Sequence, residues 1–218
     1  MKKYIILLVA TIILGFVAGN KASGQPGCEN CFAPWLCSTF TTTVNCNGVV
    51  RTIEVTVCYY CYLTRPEVDV EVLSIRGIPV GGICWEIAQD AVSNWILEHG
   101  MELCGNLPCD VGRKTFKISY PICADLVYHE NGTYDFFPNQ SCEKKCSTEV
   151  SWCWCNCTPD CDPSQNCTPH IVFYPPIGQW IWFPEGNGNC EYLSTKPGEQ
   201  RECQKFKSKC NPNDGFPP

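Results

Sequence analysis

The sequence contains little histidine and no catalytic motif built on it. Only three histidines, His99, His129 and His170, occur among 218 residues. None lies in a His-Glu-x-x-His pattern or beside a Gly-x-Ser-x-Gly turn, the signatures of zinc metalloproteases and α/β-hydrolases. The sequence therefore predicts no catalytic residues, no cofactor and no metal site, and we expect a protein that is not an enzyme.

Long apolar runs are lacking beyond the N-terminus. Two lysines precede the apolar run Tyr4–Ala18, and residues 22–24 are small. This order of charge, apolar core and small residues is typical of a secretory signal peptide, with cleavage after Gly24. An uncleaved N-terminal anchor is the alternative. We expect a secreted protein, extracellular or at the cell surface, with no membrane attachment after cleavage.

Basic residues are also in the minority. The chain has 16 Lys and Arg against 22 Asp and Glu, a formal net charge of −6. This balance argues against a nucleic-acid partner. The tail is locally basic and one strand is acidic, which predicts either head-to-tail self-association or simply solubilising charge. The residues concerned are Arg201, Lys205, Lys207 and Lys209 in the tail, and Glu67, Asp69 and Glu71 in the strand.

Cysteine, in contrast, is abundant. All 20 cysteines follow the predicted signal peptide, and an even, dense set in a secreted chain predicts disulfides. Half of them precede residue 139, which predicts a signal peptide over 1–24 and domains over 25–138 and 139–218, with bridges between the halves left open. The disulfide candidates are Cys28, Cys31, Cys37, Cys46, Cys58, Cys61, Cys84, Cys104, Cys109, Cys123, Cys142, Cys146, Cys153, Cys155, Cys157, Cys161, Cys167, Cys190, Cys203 and Cys210.

Two cysteine patterns have a metal-binding alternative. Cys28-x-x-Cys31 and Cys58-x-x-Cys61 are spaced like the ligands of a zinc site, but an oxidising compartment favours disulfides. In the stretch 149–161, three cysteines recur at every second residue, with Trp152 and Trp154 between them. An extended strand would place the thiols on one face and the indoles on the other. Bridges are again preferred over soft-metal binding.

The pattern before residue 139 alternates as β-strands do, with one exception. Phe40–Cys46 and Val49–Tyr62 flank Asn47-Gly48, the dipeptide that favours a type I′ hairpin. Further strands are predicted over Glu67–Ile75, Thr115–Tyr120, Ala124–His129 and Thr133–Phe137. Positions 84, 87, 88, 91, 92 and 95 are apolar, a spacing that predicts one amphipathic helix over 83–99, with Gly100 as its stop.

The second half predicts an aromatic hairpin within an irregular, Cys-rich segment. Its strands would be His170–Tyr174 and Gln179–Phe183. The predicted fold class is therefore α+β, mainly β and disulfide-rich. The aromatic residues of this half are candidates for ligand contact, although they are equally suited to form a small core. These candidates are Trp152, Trp154, Tyr174, Trp180 and Trp182.

The sequence contains weaker signals for three other kinds of site. Glu86 and Asp90 share a helix face and are the carboxylate pair that a secreted hydrolase would need. The run from Asp160 to Asn166 has alternating oxygen ligands but lacks the glycine and the final glutamate of a calcium loop. Four Asn-x-Ser/Thr sequons are glycosylation sites only in a host that uses that motif. They lie at Asn131, Asn139, Asn156 and Asn166.

These observations favour a secreted, non-enzymatic structural protein of the cell surface or extracellular matrix, such as a filament or adhesive subunit. Its expected partners are further copies of itself, or other surface proteins and glycans. Strand edges would join the subunits by β-augmentation, with the irregular N-terminal segment as a candidate donor. The first alternative is a monomeric glycan- or protein-binding module. A further alternative is a secreted hydrolase with an unrecognised site.

Overall fold

The computed structural model describes most of the chain from Cys28 onward. The described residues form ten strands, two α-helices and a 3-10 helix at Cys28–Asn30. The mainly β, α+β fold class predicted from the sequence is thus confirmed. The described residues are 28–81, 83–105, 107–137, 144–155, 170–176, 179–186, 198, 200–205 and 209–210.

The first four strands and the helices follow the predicted order. The strands are β1 (Leu36–Cys46), β2 (Val49–Cys61), β3 (Glu67–Pro79) and β4 (Lys114–Pro121), and the helices α1 (Cys84–Glu98) and α2 (Gly100–Cys104) lie between β3 and β4. Asn47 and Gly48 have φ angles of 52° and 80°, as both central residues of a type I′ turn require. The helix does not simply stop at Gly100, because the short α2 begins there.

Six further strands complete the described fold. They are β5 (Cys123–Tyr128), β6 (Thr133–Phe137), β7 (Lys145–Cys155), β8 (His170–Tyr174), β9 (Trp182–Glu185) and β10 (Gln200–Lys205). The predicted hairpin between the strands now called β8 and β9 is wrong. Both strands pair antiparallel with β7: β9 pairs with its first residues and β8 pairs with its last residues. β7 is long enough, at 11 residues, for the two strands to share one of its edges.

All ten strands belong to one curled sheet. Its main path runs β10-β5-β6-β3-β4-β7-β8, and β2 and β1 continue from β3. Along one edge of β3, the parallel strand β4 pairs with Glu67–Glu71 and the antiparallel strand β6 pairs with Ile75–Pro79. β3 has two register shifts near this point, one between Val72 and Ser74 in its pairing with β2 and one between Ile75 and Ile78 in its pairing with β6, as expected where a sheet bends sharply.

The predicted domain boundary at residue 139 falls inside this sheet. β4 and β7 lie on opposite sides of the boundary and pair over eight positions, from Lys114↔Trp152 to Pro121↔Lys145. The disulfide Cys109–Cys153 also crosses it. The described parts of the two predicted domains therefore share one continuous sheet.

The helix α1 packs against the inner surface of the sheet. The largest fully buried side chains include Trp85 on α1, Phe136 on β6 and Trp152 on β7. Trp85 meets Phe136 edge-on, with ring centroids 4.8 Å apart. Gly100 lies where a Cβ atom would come within 2.9 Å of Phe116, so its small size allows α2 to approach β4. One core therefore joins the helices to strands that precede and follow residue 139.

Candidate interaction surface

β1 is an edge strand of the described sheet. It pairs with β2 along all 11 residues, from Leu36↔Tyr59 to Cys46↔Val49, and with no other described strand. Natural edge strands usually carry a lysine, a proline or a bulge that prevents a further strand from adding. β1 reads Leu-Cys-Ser-Thr-Phe-Thr-Thr-Thr-Val-Asn-Cys, without a charge or a proline, and its register with β2 is unbroken. We call this open side of the strand the β1 edge.

The two-residue turn decides which backbone groups face the β1 edge. Cys46 and Val49 flank the turn and form the hydrogen-bonded pair that closes such a hairpin, so every second residue back along β1 also bonds to β2. The residues between them direct their N–H and C=O groups away from β2. Those residues are Cys37, Thr39, Thr41, Thr43 and Asn45, of which the last three are exposed.

β1 is held rigid at both ends and at its middle. Disulfides join Cys37 to Cys28 near its start and Cys46 to Cys84 at its end. Between them the ring of Phe40 stacks on the indole of Trp95 in α1, with centroids 3.4 Å apart and planes within 6°. A strand fixed in this way loses little conformational freedom when another strand binds to it.

The other edge strands carry features that β1 lacks. β10 contains arginine, glutamate and lysine, and its pairing with β5 includes a register shift. β9 has four residues, one of which is Pro184. β8 has five residues and is followed at once by Pro175. Charge, proline, bulges and short length are the devices that discourage strand addition, so β1 is the most accessible edge in the described sheet.

A cluster of aromatic rings lies near the start of β1, and we call it the aromatic platform (Trp35, Tyr60 and Tyr62). The centroids of Trp35 and Tyr60 are 6.1 Å apart, and those of Tyr60 and Tyr62 are 4.7 Å apart. All three residues are half-buried. Phe32 and Leu63, on the two neighbouring loops, are 67% and 99% exposed. This is apolar surface of the kind that often marks an interaction site.

Polar groups order one side of the platform. Tyr62 donates its hydroxyl hydrogen to Asp69 Oδ2 at 2.7 Å, and this hydrogen bond is the main reason that the pKa of Tyr62 is raised. The Arg65 guanidinium lies 4.1 Å from the centre of the Tyr62 ring and pairs with Glu67 at 3.0 Å. Nearby disulfides, Cys31–Cys58 and Cys61–Cys104, tie down the backbone beneath the rings.

The acidic row predicted for head-to-tail association is paired within the molecule. Glu67 pairs with Arg65, Asp69 accepts the hydrogen bond from Tyr62, and Glu71 lies 2.7 Å from Lys145 Nζ. In the basic tail, Lys209 pairs with Asp90. The three acidic residues and Lys209 are thus engaged within the single chain, whereas the side chains of Arg201, Lys205 and Lys207 lie outside the described residues, and the head-to-tail contact stays a prediction.

A cluster of charged and polar side chains joins β4, β7 and β9. Glu185 accepts hydrogen bonds from Lys117 Nζ at 2.5 Å and from Ser147 Oγ at 2.7 Å. Desolvation by itself would raise the pKa of Glu185, but these two hydrogen bonds and the charges of Lys117 and Lys145 outweigh it and lower the pKa. This group stabilises the packing of β9 on β7.

The five aromatic candidates from the sequence do not form one surface. Trp152 is fully buried and packs against Phe116, so it belongs to the core. Tyr174 is exposed and its ring lies 3.6 Å from the Arg113 guanidinium. The remaining three are half-buried, and two of them, Trp180 and Trp182, pack against the core. For the four candidates other than Trp152, ligand contact stays a prediction.

The described cysteines are all in disulfides. Fourteen are bonded, and six pairs are resolved, including Cys109–Cys153 and Cys146–Cys210. The cysteines with zinc-like spacing take part in bridges to Cys37, Cys58 and Cys104. The side chains of the other six candidates lie outside the described residues, as does the candidate calcium loop. Those six are Cys142, Cys157, Cys161, Cys167, Cys190 and Cys203.

The candidate catalytic groups are distributed over separate parts of the fold. His99 stacks on Trp95, with centroids 4.1 Å apart, and His129 Nε2 lies 3.0 Å from Asp135. Asp90 forms the ion pair with Lys209, whereas Glu86 lies one turn earlier on α1. Within the described ranges, no three His, Cys, Asp or Glu residues are grouped so that they could hold a metal ion.

Sequence reasoning missed both the β1 edge and the aromatic platform. The run Thr39–Thr43 consists of four threonines and one phenylalanine and carries no charge. This run was the available signal for the edge. Tyr60 and Tyr62 are two residues apart in the sequence, and Trp35 lies two residues before Cys37, which was the signal for the platform. Neither signal identifies a surface until the sheet order is known.

Comparisons with known proteins add no further assignment. No family model, no curated protein and no solved structure matches the chain. Of the helices that the structure describes, neither has the length and apolar character needed to cross a membrane.

Proposed function

We propose that this chain is a secreted, non-enzymatic structural protein of the cell surface or extracellular matrix, a filament or adhesive subunit that associates with further copies of itself. The observation that carries the proposal is the β1 edge, an uncharged strand of 11 residues that pairs with β2 alone among the described strands. Such an edge is a template for strand addition.

The covalent framework supports an extracellular location. Fourteen described cysteines are disulfide-bonded, and disulfides persist in oxidising compartments and are rare in the cytosol. Together with the predicted signal peptide, they favour secretion. A bridged framework also suits a protein that must keep its shape outside the cell without chaperones.

Strand addition at β1 would use backbone groups that are already in place. A second strand would bond to the outward N–H and C=O groups of Thr39, Thr41 and Thr43, while the disulfides at Cys37 and Cys46 hold the two ends of the template in place. Main-chain bonds supply the affinity in this mode and side chains supply the selectivity. Threonine side chains suit a pleated surface and carry no charge that would repel a copy.

The test is electron microscopy of the oxidised mature protein, beside an unboiled non-reducing gel, for wild type and for Thr41→Pro. Thr41 directs its N–H outward, so proline is tolerated in the monomer but cannot donate to an added strand. Wild type should form multimers, and Thr41→Pro should lose the contact at β1 and give smaller species. Thr41→Val is the matched control, since it keeps the N–H and should assemble. Monomeric wild type at all concentrations contradicts the proposal.

The second candidate function is a glycan- or protein-binding module, and the aromatic platform favours it. Half-exposed rings of Trp35, Tyr60 and Tyr62, with Asp69 and Arg65 beside them, offer stacking surfaces and hydrogen-bonding groups together. Such combinations suit sugar faces and peptide prolines. An adhesive subunit would use both surfaces, because the platform and the β1 edge do not overlap.

A further inference from the structure

We propose that the β1 edge binds the β1 edge of a second copy, antiparallel, about a two-fold axis through Thr41. This inference rests on the proposed function and names its partner and register. Thr41 is the midpoint of β1, since five residues of the strand lie on either side of it. A two-fold axis there pairs the whole strand with its copy, whereas a shift to Thr39 or Thr43 shortens the ladder.

The register places like with like on the outer face. Thr41 lies opposite Thr41 of the second copy, and Thr39 lies opposite Thr43 on both sides of the axis. These are the residues whose N–H and C=O groups point outward, so the hydrogen-bonded pairs are threonine pairs. Threonine pairs across antiparallel strands are favourable, and three successive hydrogen-bonded threonine pairs occur only in this register.

The inner face is compatible with the same register. Phe40 of one copy lies opposite Thr42 of the other, and Ser38 lies opposite Val44. Phe40 and Val44 are buried in the single chain, where Phe40 stacks on Trp95. The added strand therefore meets a fixed surface and no charged side chain on either face. A foreign partner would find nothing on β1 that selects it by charge, which favours a second copy as the occupant.

The pairing is isologous, so it closes after two copies. It joins two curled sheets into one and leaves the strands β8 to β10 at the far ends of the strand order. Larger assemblies would then be built from this dimer through other surfaces. The dimer is the unit that the β1 edge specifies.

Charge pairs placed on Thr39 and Thr43 test the register. In the two-fold arrangement the double variant Thr39→Lys with Thr43→Glu puts opposite charges across the axis twice. The double variants with two lysines or two glutamates put like charges there twice. Both positions face uncharged partners on β2, since Thr39 pairs with Thr56 and Thr43 pairs with Thr52. The three variants therefore differ mainly in what they present to a second copy.

The measurement is the dimer dissociation constant of the oxidised mature protein by analytical ultracentrifugation. We expect the Lys/Glu variant to dimerise as wild type does, and the two like-charge variants to dissociate at least about tenfold more easily. An equimolar mixture of the two like-charge variants should dimerise again. Thr52→Lys, on the neighbouring strand and not on the edge, is the control and should leave the constant unchanged.

Two results overturn the inference, and they are distinguishable. If wild type assembles but all three double variants are equally impaired and the mixture is not restored, β1 binds a different strand; the two-fold register is wrong while the proposed function stands. If wild type stays monomeric at every concentration, both fail. Circular dichroism of each variant establishes that it is folded.

Discussion

The ring of Phe40 on β1 lies face to face with the indole of Trp95 on α1, with centroids 3.4 Å apart. This contact fixes the middle of the edge strand to the only long helix of the described fold. Phe40 is 8% exposed, and His99 covers the opposite face of the indole at a centroid distance of 4.1 Å. The helix thus supports the edge from its inner side, and none of the other described strands pairs with its outer side.

Replacing Trp95 with alanine should lower the free energy of unfolding by about 3–5 kcal/mol, the usual cost of removing a large aromatic side chain from a core. The value should lie toward the low end because Trp95 is only partly buried. Denaturant unfolding of the oxidised protein measures it. Phe32→Ala is the control, since Phe32 is 67% exposed and its loss should change stability by less than about 0.5 kcal/mol. Equal effects at both positions would contradict the role of the Phe40–Trp95 contact.

Alkaline pH should destabilise the protein through buried tyrosines. Burial raises the pKa of Tyr120 and Tyr134 far above the ordinary value of 10.0. Below pH 10 both phenols are neutral in the folded and the unfolded chain, so they add no pH dependence. Above it the unfolded chain loses these protons and the folded chain keeps them. The free energy of unfolding should therefore fall as pH rises.

Stability measured from neutral to alkaline pH tests this prediction, together with ultraviolet titration of the nine tyrosines. At least two tyrosines should ionise only when the protein unfolds, and Tyr134→Phe should flatten the decline in stability. If every tyrosine ionises near pH 10 without unfolding, the described burial of these rings is incorrect.

Residues 25–138 should not fold as an independent domain. Without β7, the strand β4 would lose its neighbour along eight residues, and Cys109 would lose Cys153. Phe116 would also lose its contact with Trp152. The expressed fragment should show free thiols and the spectrum of an unfolded chain, while the full mature chain folds. A fragment with native-like proton NMR dispersion would contradict this expectation and support the two-domain prediction.

Ligand binding, if the second candidate function holds, should depend on the aromatic platform. Trp35→Ala and Tyr60→Ala should each weaken retention on an insoluble polysaccharide such as chitin or cellulose by about tenfold, because each removes a stacking surface. Trp180→Ala is the comparison from the sequence candidates. Retention lost only with Trp180 would place the site in the second half, as the sequence predicted, and not on the platform.

Local sequence patterns predicted the local structure well. Asn47-Gly48 predicted its turn because a type I′ turn needs positive φ at both central residues, and Asn and Gly adopt positive φ most readily. The alternation of valines and acidic residues in Glu67–Ile75 predicted β3. The buried face of α1 was predicted less well, since Gln89 and Ser93 belong to it. Ser93 Oγ lies 2.7 Å from the Tyr120 hydroxyl, which itself donates to the carbonyl oxygen of Gln89. A polar residue can be buried when a distant strand supplies its hydrogen-bond partner. The periodicity of the helix sequence cannot predict that partner.

The order of strands was the part that sequence could not supply. β8 and β9 were expected to pair with each other because they are neighbours in the chain, but β7 offers each of them a longer-range partner. The same limit explains why β1 was not recognised as an edge. A strand's sequence predicts its extended conformation, and only the completed sheet shows which of its sides stays open.

Residue-resolved amide hydrogen exchange of β1, in dilute and in concentrated oxidised protein, tests the central claim most directly. The amides of Ser38, Phe40, Thr42 and Val44 face β2 and should be protected at both concentrations. Those of Thr39, Thr41, Thr43 and Asn45 should exchange fast when dilute and become protected when concentrated. If the protein assembles while these four amides still exchange fast, the subunits associate through another surface and the account of the β1 edge is wrong.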